Sequence, residues 1–260
     1  MFCIEYAYGS DVGTVRPSNQ DSVFGIADIV DSRSCGLFCV ADGMGGLADG
    51  EYASSLTVQI LEDWWHTRLE PLLRNHRGRY VHERVVFQEF STLLTTVNQS
   101  LLQHAKEISA SVGTTCSVLF ILDDVYHIAH LGDTRIYAAQ KKFIGYHISP
   151  LTEDHTWATD HIGILSDEEI YAHPKRNRLT SCLGVFESPR IFYSSGLIDK
   201  SKMFMLFSDG LYRTLSMDEI AKMLSKNYKL EVLVSKMLKA SIKRGATDNV
   251  SAVTVRFERG

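Results

Sequence analysis

With 260 residues, 45% of them hydrophobic, the chain can bury a sizeable core and is read as a single domain spanning 1–260. A formal net charge of −4 and the lack of any long lysine or arginine block argue against a nucleic-acid partner. No stretch approaches the uncharged apolar span of a membrane helix, and the first residues lack a basic start followed by an apolar run, so no membrane partner and a cytoplasmic setting are expected. The five cysteines, Cys3, Cys35, Cys39, Cys116 and Cys182, contain no Cys-x-x-Cys pair and suggest neither a disulfide framework nor a zinc ribbon.

Along the chain, apolar runs at Ile4–Tyr8, Ser22–Ile29 and Gly36–Ala41 alternate with turn chemistry such as Gly9-Ser10-Asp11, which is a strand pattern. From Gly50 the spacing turns helical, with Leu56, Ile60, Leu61, Trp64 and Leu69 on one stripe and an end near Pro71. The basic stretch from Arg74 to Arg79 reads as a solvated connection. A second helix is predicted from Val81 to Ser109. Strands at Thr114–Leu122, Tyr126–Leu131, Ile136–Ala139 and Phe143–Ile148 have the spacing of an antiparallel meander. Residues 153–174 are polar and helix-like, and they interrupt the strands as a lid or recognition loop would. Strands at Arg190–Ser194 and Met203–Phe207, helices at Ser216–Leu224 and Leu230–Lys243, and a last strand at Val250–Phe257 complete a layered α+β sandwich with helices outside.

Four aspartates close or follow apolar runs: Asp21, Asp42, Asp209 and Asp248. Each alone could be a turn residue, and Asp42-Gly43 and Asp209-Gly210 are favoured turn pairs. Together with Arg16 and the Gly132-Asp133 pair they read as a hard-cation site assembled from strand ends. Oxygen-rich sets without cysteine select magnesium or manganese, whereas zinc favours histidine or thiolate. His127 and His130, three apart in a predicted strand, point to opposite faces and cannot share an ion. Two hard ions about 3.5–4 Å apart can clamp a phosphoryl group for hydrolysis. Asp42-Gly43-Met44-Gly45-Gly46 lacks the Gly-Lys-Ser/Thr of a nucleotide-binding loop. No cysteine is followed six positions later by arginine and no Asp-x-Asp occurs, so water is the expected attacker.

Read in order, the segments Gly13–Asp21, Val40–Gly46, Gly113–Thr115, Leu131–Arg135, Leu151–His155, Arg178–Thr180, Phe207–Gly210 and Thr247–Val250 resemble the metal-dependent protein phosphatase 2C (PP2C) family of serine/threonine phosphatases, in its bacterial form. The match spans nearly the whole chain. The resemblance implies a four-layer α/β/β/α sandwich, two central antiparallel β-sheets flanked by helix pairs, with two Mn2+ or Mg2+ ions in a cleft at one end. By motif position it implies that Asp42 bridges the ions, that the Gly43 carbonyl reaches one of them, and that Asp209 and Asp248 hold the other. Asp21 would hold metal-bound water and Arg16 the substrate phosphate, a task suited to a planar donor fork. Asp133, with Asp209, matches the position of a third, weaker ion. A flap at about 153–178, carrying Lys175, Arg176 and Arg178, is implied beside the site, with Arg178 as a substrate contact.

Two residues depart from the family pattern. Gln20 stands where many relatives carry glutamate, and Met44 stands where animal enzymes carry a histidine proposed as general acid. The implied function is hydrolysis of phosphoserine and phosphothreonine on proteins by a metal-activated water, opposing a Hanks-type serine/threonine kinase. The alternatives are a phosphoprotein-sensing module without turnover and a small-molecule phosphoesterase.

Overall fold

The computed structural model describes residues 2–44, 47, 49–76, 81–199 and 202–259; Gly45, Gly46 and residues 77–79 of the basic connection lie outside them. Strands β1 (Phe2–Asp11), β2 (Asp21–Val30) and β3 (Arg33–Asp42) lead into helices α1 (Gly50–Asn75) and α2 (Glu83–Glu107). Then come β4 (Cys116–Leu122), β5 (Val125–Leu131), β6 (Arg135–Lys141) and β7 (Tyr146–Pro150), and short helices α3 (Trp157–Asp160) and α4 (Asp167–Ala172). The chain closes with β8 (Phe192–Leu197), β9 (Lys202–Phe207), α5 (Asp209–Tyr212), α6 (Met217–Leu224), α7 (Leu230–Lys243) and β10 (Val250–Arg259). Among the described residues the strands form two antiparallel five-stranded sheets, ordered β1-β10-β9-β6-β7 and β2-β3-β4-β5-β8.

Side chains alternate across a strand, so each central strand serves two cores. In β3 and β4, Phe38, Val40, Leu119 and Ile121 point between the sheets, where they meet Phe204, Leu206, Val253 and Val255. Their neighbours Leu37, Cys39, Val118 and Phe120 face α1 and α2, packing with Leu61, Trp64, Phe90 and Leu94. On the other side Met205 and Phe207 of β9 pack with Ile220, Leu233 and Met237 of α6 and α7. Apolar burial on both faces explains why β3, β4 and β9 read as nearly continuous apolar runs and why the layers stack helix, sheet, sheet, helix. Each fully buried Phe or Leu in these layers contributes roughly 1.5–3 kcal/mol.

Several boundaries differ from the sequence reading. Gly9-Ser10-Asp11 is not a turn: β1 continues through it, paired with Ala252, Ser251 and Val250 of β10. Helix α1 runs past Pro71 to Asn75, because Leu72 and Leu73 are buried in the helix-side core and this burial offsets the hydrogen bond that proline cannot make. Phe143 and Ile144 are not in a strand. They are exposed at a turn in which Lys142 N donates to Gly145 O at 3.0 Å and Gly145 takes φ +71°. The strand near Arg190 begins only at Phe192. Helix α5, absent from the sequence reading, starts on Asp209. The expected meander is divided: β4 and β5 pair in one sheet and β6 and β7 in the other. The crossing lies between Leu131 and Arg135, where Gly132 has φ +100° and a Cβ would press on Thr115 at 2.5 Å.

Antiparallel register gathers the aspartates. Asp21 opens β2 directly opposite Asp42, which closes β3. Phe207, the last residue of β9, pairs with Ala252 and Arg135, near the starts of β10 and β6, so Asp209, Asp248 and Asp133 emerge at the same end of the sandwich.

Candidate active site

At that end Arg16, Asp42, Gly43, Met44, Asp133, Arg178, Asp209, Arg213 and Asp248 line one cleft of about 540 Å³. Asp21 sits behind it, 7% exposed. The cleft therefore unites the acidic residues singled out in the sequence with Arg16 and Arg178, while Asp21 backs the floor.

The floor is held by backbone. Asp42 N donates to Thr115 Oγ1 at 2.9 Å, while Thr115 N and Thr114 Oγ1 each donate to Asp42 O at 2.9 Å. Gly43 N donates to Gln20 O at 3.0 Å. A Cβ at Gly43 would lie 2.1 Å from Gly50 O and 2.7 Å from Gln20 O, so the approach of three backbone segments requires glycine there. The loop carrying Arg16 is tied to the segment before β10. Asn249 accepts from Gln20 N at 2.9 Å and donates to Val12 O at 2.9 Å and Ser18 O at 3.1 Å. In the segment 153–178, the Trp157 ring stacks with His161 at 3.8 Å and with His173 at 3.7 Å between ring centroids. Trp157 N donates to Arg178 O at 2.8 Å.

The charges are strained. Asp42 is pushed well above the ordinary carboxylate range by loss of solvent and then by Asp21, Asp209, Asp133 and Asp248. Burial, opposed in part by the Ser251 hydroxyl that donates to Asp21 Oδ2 at 2.6 Å, raises Asp21 to about 6. Burial and Asp209 raise Asp133 to about 7. Asp209 is also raised, chiefly by burial. Two arginines offset part of this repulsion: Arg16 pairs with Asp248 at 2.7 Å, and Arg213 reaches Asp209 at 3.1 Å and Asp133 at 3.5 Å.

The donor set fits hard divalent ions. Asp21 Oδ1 and Asp209 Oδ1 are buried without a hydrogen-bond partner, which is costly for a carboxylate unless a cation completes it. Among the described residues that line the cleft, the buried Cys182 is the one thiol and there is no imidazole. Among the described residues no three ligating side chains converge on one point as they stand; the arginines hold Asp248 and Asp209 in ion pairs instead.

The sequence matches the protein phosphatase 2C family over residues 16–253. The chain belongs to that family. It is 28% identical over 256 residues to protein phosphatase PhpP of Streptococcus pneumoniae, covering 97% of each chain. Its fold superposes on the S. agalactiae serine/threonine phosphatase with a TM-score of 0.83 at 25% identity, covering 98% of this chain and 100% of that one. It shares the fold of the catalytic domain of a serine/threonine protein phosphatase PstP at a TM-score of 0.77 and 22% identity, over the full length of both, and that structure holds two manganese ions. The chain is thus a bacterial-type, metal-dependent protein serine/threonine phosphatase with the layered α+β architecture of its relatives. Among the described residues no helix is long and apolar enough to cross a membrane.

Residues that the sequence reading did not single out complete the site. Arg213 stands four positions after Asp209, the spacing of an acid–base pair on a helix, a signal hidden because α5 itself was not anticipated. Asn249 and Thr115 lie in the motif segments Thr247–Val250 and Gly113–Thr115 but were given no role, and Ser251 carries no such signal, since what these residues do depends on partners from distant segments.

Proposed function

We propose that the cleft removes phosphate from phosphoserine and phosphothreonine side chains using two divalent cations, Mn2+ or Mg2+, held by Asp42, the Gly43 carbonyl, Asp209 and Asp248. The observation that carries this reading is the pair of buried, unpartnered carboxylate oxygens on Asp21 and Asp209, which set against the upward-shifted Asp42 leave a site deficient in positive charge. When bound, such ions lower the pKa of water and neutralise charge on a phosphoryl group.

The chain's own residues orient the reaction. Asp21, anchored by Ser251 at 2.6 Å, would hold water at the floor through its unpartnered Oδ1. Arg16 is the phosphate ligand, with a guanidinium that stays charged and forks onto two oxygens. Its present partner is Asp248, which would be one of the residues holding a cation, so Arg16 would exchange this ion pair for the substrate phosphate. Arg178 and Asn177 from the flap, with Leu179, Val185, Phe186 and Met44, form the remaining wall. A charged floor beside a partly apolar wall suits a phosphorylated side chain flanked by peptide. Met44 carries no transferable proton, so it supplies no acid to the leaving group. Phosphorylated proteins of this kind are made by serine/threonine kinases, and a kinase of the Hanks type is the opposing activity in this reading.

The test is phosphate release from a phosphothreonine peptide and from small phosphate monoesters, each with manganese, with magnesium and with chelator. Metal-restored release that favours the peptide supports the proposal. Metal binding without turnover of any substrate favours a sensing module, and preference for the small esters favours a small-molecule phosphoesterase.

A further inference from the structure

We propose that Arg213 is the resident cation of the Asp133–Asp209 pair, taking the place of a third divalent ion and positioning Asp209 so that only its Oδ1 is left for the two-ion site. The inference rests on the two-ion reading above. Asp133 and Asp209 are each 8% exposed, and one guanidinium spans both: Nη1 lies 3.1 Å from Asp209 Oδ2 and Nη2 lies 3.5 Å from Asp133 Oδ2. Asp209 Oδ1 is buried without a partner. The carboxylate is therefore divided, one oxygen committed to arginine and the other open to a metal.

The chain around Arg213 is anchored on two sides, and its half-exposed side chain reaches in to both carboxylates. Its backbone N donates to Asp209 O at 3.0 Å, so Arg213 caps the end of the short helix α5 that Asp209 begins. The neighbouring Tyr212 hydroxyl donates to Asp133 O at 2.9 Å. The Tyr212 ring lies 3.9 Å under the guanidinium of Arg135, which is itself clamped to Asp154 by two bonds of 2.8 Å. Arg16 differs: it makes one ion pair, from an irregular loop, with a residue 232 positions away in sequence. Arg16 has a single carboxylate partner, whereas Arg213 spans two carboxylates, one of them four residues before it.

A dication between Asp133 and Asp209 would lie within a few ångströms of the Arg213 guanidinium and would have to displace it from both oxygens. Magnesium and manganese keep several waters and need most of their remaining ligands to be well-placed oxygens. Two carboxylates already shared with arginine do not meet that need. The third, weaker ion implied at Asp133 by resemblance is therefore replaced by a side chain.

Manganese binding to the purified protein by equilibrium dialysis, with folding checked by circular dichroism, tests this. Arg213→Ala is expected to bind one more ion than wild type, at least tenfold more weakly than the tight ions, and Arg213→Ala/Asp133→Asn is expected to lose it again. Arg213→Lys keeps a cation and should bind as wild type does. A wild-type weak ion that Asp133→Asn removes would overturn the proposal, as would a folded Arg213→Ala protein with the wild-type number of ions. The readout is a difference between variant and wild type. The number of tight ions is judged separately, by the loss of one in Asp248→Asn.

Discussion

Replacing Asp21 by asparagine is expected to stabilise the metal-free protein at pH 8 while impairing its catalysis. The carboxyl is buried and its pKa is raised from 3.8 to about 6, first by loss of solvent. A raised carboxylate pKa means that the fold disfavours the charged form. The cost is therefore fully present above the folded value, fades as pH falls through about 6, and is gone below the unfolded value near 3.8. At ~1.4 kcal/mol per pKa unit, the penalty at pH 8 is about 3 kcal/mol. Asparagine keeps an acceptor for Ser251 but leaves an amide hydrogen without a partner where Oδ1 stood, which returns part of the gain. For a domain of this size a net gain of about 2 kcal/mol raises the Tm by roughly 5 °C. Thermal unfolding of both proteins in chelator, at pH 8 and again at pH 4, measures it. Adding manganese should narrow the gap, since a cation that binds the folded state stabilises the wild-type carboxylate cluster. No gain at pH 8, or a gain unchanged at pH 4, would refute the reasoning.

Three further perturbations probe the same site. Asp42→Asn should lower kcat/KM on a phosphothreonine peptide by more than about a hundredfold with the fold intact by circular dichroism, because losing a direct ligand exceeds the usual effect of losing its supporting partner. Asn249→Ala removes three hydrogen bonds between the Arg16 loop and the start of β10 and is expected to cost about 2–4 kcal/mol in urea unfolding, with KM rising more than kcat falls. Gly43→Ala drives a methyl to 2.1 Å from Gly50 O; a loss of about 2 kcal/mol or more in the same urea assay is expected, as for other overpacked sites.

Much of the acidic site was legible in the sequence because its residues sit where strand patterns stop. Asp42 closes β3, Asp209 lies two residues after β9 and Asp248 two residues before β10, and carboxylates at such boundaries stand out against a hydrophobic run. The sandwich was legible for a related reason: β3, β4 and β9 are apolar on both faces, which only a doubly covered sheet requires. Local pattern failed where tertiary burial overrode it. Pro71 reads as a helix end, yet Leu72 and Leu73 are buried beyond it. Gly9-Ser10-Asp11 reads as a turn, yet β10 supplies its ladder. Phe143 and Ile144 read as strand, yet they are the tip of a turn.

By itself, then, the sequence determined which oxygens were available and which elements would carry them, because residue type and apolar period are local properties. Tertiary structure decided which oxygens are already spoken for. The Arg16–Asp248 pair and the Asn249 clamp join segments more than 200 positions apart, and the Asp133–Arg213–Asp209 bridge depends on two strands, β5 and β9, that lie in different sheets. Charge pairing depends on distance in space, and only the register of two packed sheets sets those distances.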